Sequence, residues 1–332
     1  MDGPKIIKLT DAERDNGVMG DKKLYDAIEA FHTDGLVVVE NAIDVGIIDR
    51  LNARMLQDTE KILCGGGDSG NSVVYNRLSD NLTNESAALG GNLSQVPPLE
   101  KEWMFPEVYA NKHAVRILSY ILGPRPEAHF IRTNTLLATN ERQLVHADLR
   151  CEHPEHPFGV VFNTCLVDVG PKNGTTELWL GTQNTSIDCH RSLGEAIIAE
   201  APLAKRRVER PPCYPSIKKG SIVLRDLRLW HARRNAESHA RNSNHDGHSI
   251  FCCNNPILSR WYKNTLETRM PESLRPTIHI LENYSQSRYA IDWVSDEGYN
   301  YFESSFSSNF SSALVPEAWN KIKDLEPIRG TV

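Results

Sequence analysis

The sequence lacks the features that mark membrane, secreted, repetitive or nucleic-acid-binding chains. No apolar run approaches the ~18 residues that a membrane-spanning helix needs, and residues 1–10 lack the apolar centre of a secretory signal. We find no internal repeat, no low-complexity linker and no basic stripe beyond Lys205-Arg206-Arg207, and the net charge is −6. We therefore expect a soluble, cytoplasmic protein without a nucleic-acid or membrane partner.

The cysteine content argues against a disulfide framework. Seven cysteines, an odd number without a repeating spacing, fit reduced thiols better than paired ones. Hydrophobic residues make up 40% of the 332 residues, which is enough for a substantial core. A chain of this length forms one large or two ordinary domains, and length alone does not decide between them.

Helical periodicity dominates the first part of the chain. Residues 1–20 are polar and aperiodic, which predicts a loose arm. Apolar residues then recur at helical spacing, with capping or stop signals, in three segments. These segments are Lys22–His32, the stretch from Asp44 to Cys64, and Glu107–Leu122. Residues 65–103 are rich in Gly, Asn, Ser and Pro, so we expect a long functional loop or lid that contains a short strand at 73–75.

From Ala128 onward the pattern changes to short β segments separated by Pro, Gly and Asn clusters. The predicted strands are 129–138, 142–148, 158–168, 175–180, 221–225, 229–233 and 249–253, with a short helix over Leu193–Ala201. Many short strands favour a sandwich or a barrel closed on itself. We therefore predict a mainly β domain with flanking helices over 21–265, followed by a C-terminal extension, 266–332, packed on the core.

The stretch from Arg142 to Leu149 places an imidazole and a carboxylate two positions apart. Side chains alternate along an extended segment, so His146 and Asp148 project from one face. His231 ends a second strand-like stretch and could complete a metal site. Two histidines and one carboxylate on one face of a metal leave the opposite face open, as in non-haem Fe(II) oxygenases. These three residues are the predicted catalytic metal ligands.

A lone His-x-Asp pair is often only a hydrogen-bonded strand end, but here it is followed by two further motifs. These are an Asn-Gly turn with Thr-Glu-Leu-Trp-Leu-Gly-Thr, ending at Thr182, and Lys-Gly-Ser-Ile-Val-Leu-Arg-Asp-Leu-Arg-Leu-Trp-His, ending at His231. In this order, over roughly residues 30–265, the motifs resemble the phytanoyl-CoA dioxygenase-like family, most closely its fungal members that tailor secondary metabolites. The resemblance implies a double-stranded β-helix (jelly-roll) core, Fe(II) as metal, 2-oxoglutarate as cosubstrate and dioxygen as oxidant. Peroxisomal members of the family need a targeting signal, and because the sequence ends Arg-Gly-Thr-Val we expect none here.

The resemblance also implies residues that bind the cosubstrate. An arginine about ten residues after the distal histidine would pair with the far carboxylate of 2-oxoglutarate, and Arg241 has that separation from His231. The insertion-like residues 242–248 separate Arg241 from the next strand, so an alignment from the strand side would place His248 there instead. Arg233 and Arg234 are lesser candidates, expected to be solvated. Gln143 matches a family position that contacts the cosubstrate, and Thr182 matches a hydroxyl near it; for both, strand-edge hydrogen bonding is the alternative. Asn134, on the neighbouring strand, could line the same pocket.

The expected reaction is hydroxylation, desaturation or ring formation on a small natural-product-like molecule. Because Arg241 is displaced, an Fe(II)/O2-dependent oxidase on the same fold that no longer uses 2-oxoglutarate is the alternative. A third hypothesis is a non-catalytic jelly roll that keeps the metal as a structural element. The substrate pocket would be lined by variable segments without a recognisable code. The aromatic residues of the C-terminal extension could cover a subunit interface in a homodimer.

Overall fold

The structure is a computed structural model that describes most of the chain up to residue 262. The described residues are 3–63, 72–75, 91–95, 97–98, 101–103, 105–123, 126–137, 142–148, 157, 159–191, 197–233, 252–254 and 257–262. Arg234, Arg241, His248, residues 266–332 and most of 65–103 lie outside them. The predictions on these residues therefore stay predictions, as does the division of the chain into domains.

Residues 3–20 do not form a loose arm, so the expectation is wrong for this described part of it. Strand β1 (Ile6–Lys8) pairs in parallel with β2 (Leu36–Glu40), and Ile7 is buried in the core. Helix α1 (Asp11–Asn16) begins with a capping box, in which Thr10 and Glu13 satisfy each other's backbone N–H. The Thr-x-x-Glu spacing was the available signal for this helix.

The predicted N-terminal helices are present, and one of them is divided. They are α2 (Asp21–Asp34), α3 (Val45–Leu63), α4 (Pro106–Tyr109) and α5 (Lys112–Leu122). The side chain of Asp44 accepts from the N–H groups of Gly46 and Ile47, as expected of a cap for α3. The single helix predicted over Glu107–Leu122 is two helices, because the Asn111 side chain caps a new helix at its start.

Nine of the described strands form one mixed sheet. Besides β1 and β2, they are β3 (Ser72–Tyr75), β4 (Gly91–Gln95), β5 (Glu127–Leu137), β6 (Gly159–Thr164), β8 (Ile222–Asp226), β10 (Cys252–Asn254) and β11 (Ile257–Tyr262). Their order in the sheet is β1-β2-β8-β6-β11-β5-β4-β3, with β10 paired to β5. Strands β7 (Thr176–Leu178) and β9 (His231–Arg233) form a second, two-stranded sheet. Strand β11 was not predicted, whereas the short strand at 73–75 was. The β core with flanking helices agrees with the predicted fold class.

The two sheets face each other across an apolar layer. Along β2, Val37 and Val39 pack in the cluster that α2, α3 and α5 cover, whereas Leu36 and Val38 face the opposite side. That opposite side also contains Leu178 of β7, so the second cluster lies between the large and the small sheet. The two-residue alternation of a strand thus separates a helix-covered face from an inter-sheet interior.

A third apolar cluster covers the outer face of the small sheet. It includes Trp179, Trp230 and Leu203, and Leu203 belongs to α6 (Glu200–Glu209). The sequence placed a helix over Leu193–Ala201, but in the described residues the helix starts only at Glu200. Residues 197 and 198 instead form β-bridges, with His146 and His190 respectively. Strand pairing in front of Glu200 therefore delays the start of the helix.

Candidate metal centre

His146 and His231 lie opposite each other on adjacent extended segments. The N–H of each donates to the carbonyl oxygen of the other at 2.9 Å, which is a hydrogen-bonded antiparallel pair. Their imidazole centroids are 4.3 Å apart. The flanking Val145 and Ala147 belong to the cluster behind the small sheet. The predicted alternation, with His146 and Asp148 on the other face, is therefore observed, although 142–148 forms an isolated bridge rather than a continuous strand.

A turn brings the carboxylate of Asp148 to the two histidines. The Asp226 carboxylate accepts from the backbone N–H of Arg228 at 2.9 Å and also pairs with its guanidinium, which holds the turn between β8 and β9. The N–H of Asp148 donates to Leu227 O, in this turn, at 2.9 Å. One ligand atom each of His146, Asp148 and His231 then lie within 4.8 Å of one another, and all three side chains are buried.

The histidine rings present neutral nitrogens to the centre of the triad. Nδ1 of His146 lies 2.8 Å from Leu144 O, and Nδ1 of His231 lies 3.0 Å from Leu229 O. A carbonyl only accepts, so these contacts favour the tautomer with Nδ1–H and a bare Nε2. Burial lowers the pKa of both rings, and Arg225 lowers that of His231 further. Two neutral imidazoles and a carboxylate are a donor set that suits Fe(II).

Arg225 contacts two members of the triad from the large sheet. It lies on β8, which pairs with β2 on one side and β6 on the other, and only 6% of the residue is exposed. Its Nη2 donates to Asp148 Oδ2 at 2.5 Å, and its Nη1 lies 3.1 Å from His231 Nδ1. The guanidinium therefore offsets the buried charge of Asp148. Arg225 lies in the motif that ends at His231, but nothing in its local spacing predicts this role.

A second buried carboxylate anchors the start of the 142–148 segment. Glu177, on β7, accepts from Arg142 Nε and from Trp179 Nε1, both at 2.9 Å. This role of Glu177 was not predicted, because nothing in the local spacing relates Arg142 to Glu177. The pair ties the segment that carries His146 to the small sheet.

The predicted cosubstrate residues are placed differently from one another. Gln143 is buried and its Oε1 accepts from the backbone N–H of Arg233 at 2.9 Å. Thr182 donates to Trp179 O and accepts from the N–H of Trp230, so its hydroxyl connects parts of the fold. Asn134 lies on β5, opposite Ser94 of β4. Their roles toward a cosubstrate stay predictions.

Arg233 was expected to be solvated, and that expectation is wrong. Only 8% of the residue is exposed. It follows His231 by two positions on β9, so the strand alternation sets both on one face. This placement encloses the side chain between the sheets rather than leaving it in solvent.

A buried site of two histidines and one carboxylate between two sheets is typical of non-haem Fe(II) enzymes. The family model described as phytanoyl-CoA dioxygenase (PhyH) matches residues 31–243, which is more than half of the chain. The chain belongs to this family, and it is an Fe(II)/2-oxoglutarate-dependent oxygenase. The resemblance stated from the ordered motifs is therefore confirmed at the level of the family.

Several solved structures are similar to the chain at low identity. The epimerase SnoN, in complex with Fe3+, alpha ketoglutarate and nogalamycin RO, is 14% identical over 74% of this chain and 86% of its own, with a TM-score of 0.51. AviO1 from Streptomyces viridochromogenes Tue57 is 20% identical over 72% and 94%, with a TM-score of 0.49. EctD from S. alaskensis, with 2-oxoglutarate and 5-hydroxyectoine, is 13% identical over 74% and 76%, also at 0.49. The comparison with SnoN supports a shared fold.

Among the residues that the structure describes, no helix has both the length and the apolar character to cross a membrane.

Proposed function

We propose that this protein is an Fe(II)/2-oxoglutarate-dependent dioxygenase that oxidises a small natural-product-like molecule by hydroxylation, desaturation or ring formation, on a double-stranded β-helix core. His146, Asp148 and His231 would hold the metal. When bound, iron with 2-oxoglutarate and dioxygen supplies the oxidising power for attack on an unactivated carbon. The chain's own residues supply three ligands, a fixed geometry and a site from which water is excluded.

The observation that carries this proposal is the convergence of the three ligand atoms within 4.8 Å. They come from segments more than eighty positions apart in the sequence, and reciprocal backbone hydrogen bonds set the two histidines side by side. A structural hydrogen-bond cluster would not need two neutral, buried imidazoles beside a buried carboxylate. Arg225 offsets the charge of Asp148 through Oδ2, whereas the two histidine rings and Asp148 Oδ1 form a donor set that suits a metal ion.

The cosubstrate would enter from the open side of the triad. We propose that Arg241 pairs with its far carboxylate and that Gln143, Thr182 and Asn134 contribute polar contacts nearby. Because Gln143 Oε1 is already engaged with Arg233, the amide nitrogen is the group that Gln143 would offer. An arginine suits this role since it stays charged and can pair with a carboxylate through two bonds.

The test measures binding and turnover separately. Purified protein is loaded anaerobically with Fe(II) and titrated with 2-oxoglutarate, and the visible charge-transfer absorption of the chelate is recorded. We expect saturable absorption, followed on oxygen addition by succinate formation. His231→Ala should abolish both while the circular dichroism spectrum is unchanged. His190→Ala is a matched control, since His190 also forms a β-bridge but lies outside the triad.

Two results would contradict the proposal. Full succinate formation by His231→Ala would show that the third ligand is assigned wrongly. Oxygen consumption with Fe(II) but without any dependence on 2-oxoglutarate, and without succinate, would favour the oxidase alternative instead.

A further inference from the structure

The carboxylate of Asp148 has two oxygens in different surroundings. Oδ1 faces the triad and lies 3.5 Å from His231 Nε2. Oδ2 accepts from Arg225 Nη2 at 2.5 Å. One of the two oxygens is therefore close to the metal-binding nitrogen of His231, and the other is held by a guanidinium.

We propose that Arg225 is a positioning residue that restricts Asp148 to one metal-binding oxygen, Oδ1. The inference rests on the proposed metal site and adds a residue outside the ligand set. Carboxylates can bind a metal through one or both oxygens. A second oxygen would take one of the open positions that the 2-oxo acid needs, so control of Oδ2 protects cosubstrate binding.

The fold gives Arg225 little freedom to release this oxygen. Its backbone lies in an interior strand of the large sheet, in register with Leu36 on one side and Val161 on the other. Its side chain is 7% exposed and that of Asp148 is 0% exposed. A short charge-assisted hydrogen bond between two such groups is strong and directional. Rotation of Asp148 toward two-oxygen binding would break it.

A hydrogen bond from Arg225 to His231 would explain the position of the guanidinium less well than its bond to Asp148 does. Nη1 is a donor, so a hydrogen bond at 3.1 Å requires a bare Nδ1 on His231. Metal binding at Nε2 instead requires Nδ1–H, which Leu229 O accepts at 3.0 Å. The bond to Asp148 is compatible with the metal-bound state, and the one to His231 is not.

The first test uses the unaltered protein. A crystal structure with Mn(II) and without cosubstrate should show Asp148 bound through Oδ1 alone, with Oδ2 still within hydrogen-bond distance of Arg225. Metal at the triad with both Asp148 oxygens coordinated, or with Oδ2 as the ligand, would overturn the inference and leave the proposed function intact. Absence of metal from the triad would overturn both.

The second test separates positioning from general stability. In Arg225→Met we expect the Mn(II) affinity, measured by competition with a chelator, to fall less than the affinity of the Fe(II) protein for 2-oxoglutarate. The 2-oxoglutarate affinity should fall by about 10- to 100-fold, by analogy with the loss of metal affinity or activity when an outer contact of a metal ligand is removed. Arg225→Lys, which keeps a charged donor, should recover part of the loss.

Arg206→Met is the control. Arg206 lies on α6, its side chain is 22% exposed and its Nη2 donates to Leu180 O, so this variant reports the loss of a largely enclosed arginine that contacts no member of the triad. Unchanged 2-oxoglutarate affinity in Arg225→Met would overturn the inference. Parallel loss of metal and 2-oxoglutarate affinity in both methionine variants would overturn it as well, because a merely structural role predicts that result.

Discussion

The pair formed by Asp148 and Arg225 predicts that the metal-free protein depends on this carboxylate for its stability. The two side chains are in contact at 2.5 Å and are 0% and 7% exposed. Removing one partner of such a pair leaves a buried charge with poor compensation, which costs about 3–5 kcal/mol. We therefore expect Asp148→Ala to lower the free energy of unfolding of the metal-free protein by that amount.

A double-mutant cycle isolates the contribution of the contact itself. Arg225→Met removes the charge and keeps an apolar side chain of similar length, so the double variant has no buried ion at this position. We expect it to be more stable than Asp148→Ala alone, with a coupling energy of about 2–3 kcal/mol between the two sites. Asp148→Asn should fall between the parent and Asp148→Ala, since its amide oxygen still accepts from Arg225.

The assay is urea unfolding in excess chelator at pH 7.5, followed by fluorescence and circular dichroism. Asp26→Ala serves as the control for the loss of a surface carboxylate, because Asp26 pairs with the exposed Lys22 on α2; its midpoint should stay close to that of the parent. An Asp148→Ala variant within about 0.5 kcal/mol of the parent, or a coupling energy indistinguishable from zero, would refute the reasoning.

Two further predictions concern the fold around the site. Gly220 has a φ of 76°, and an added Cβ would lie 2.7 Å from the backbone oxygen of Ile43, so Gly220→Ala should cost more than the ~1–2 kcal/mol of a left-handed conformation alone. Gly17 has a φ of 70°, but an added Cβ there would meet only the flexible Lys112 side chain. In the same urea assay, Gly17→Ala should therefore lower the free energy of unfolding less than Gly220→Ala does. Equal losses in the two variants would contradict the prediction. Burial lowers the pKa of His113, so the unfolded chain binds more protons than the folded one below about pH 6.5. The free energy of unfolding should fall as the pH drops from 7 to 5, with a contribution from this residue of up to about 1.4 kcal/mol per pH unit. In urea titrations at several pH values, His113→Phe should reduce this pH dependence. An unchanged slope of unfolding free energy against pH would show that His113 does not contribute to it.

The convergence of His146, Asp148 and His231 could be predicted from the sequence because each part of the cluster has a local signature. His146 and Asp148 are two positions apart in an extended segment, and His231 follows a strand-like run. Period-two alternation is a property of the backbone, so it holds even where 142–148 forms only a bridge. The spacing does not predict the strand register that sets His146 opposite His231.

The errors have physical causes of the same kind. Residues 1–20 lack apolar periodicity, yet Ile7 is buried because β1 adds to the edge of a sheet whose other strands lie far along the chain. The helix predicted over Leu193–Ala201 starts later because residue 197 forms a β-bridge with His146. In each case a contact distant in sequence overrides the local propensity.

Arg225 lies in a recognisable sequence motif, but its role depends on contacts that the motif does not reveal. It is six positions before His231, and along one strand that even separation would place both on one face of one sheet. The turn after Asp226 instead moves His231 to the small sheet, so Arg225 contacts the triad from the large sheet. The guanidinium therefore meets Asp148 and His231 across the interior rather than along a strand. An insertion or deletion in this turn should therefore disrupt the contact between Arg225 and Asp148 more readily than the pairing of His146 with His231. The histidine pair is held by its own backbone hydrogen bonds.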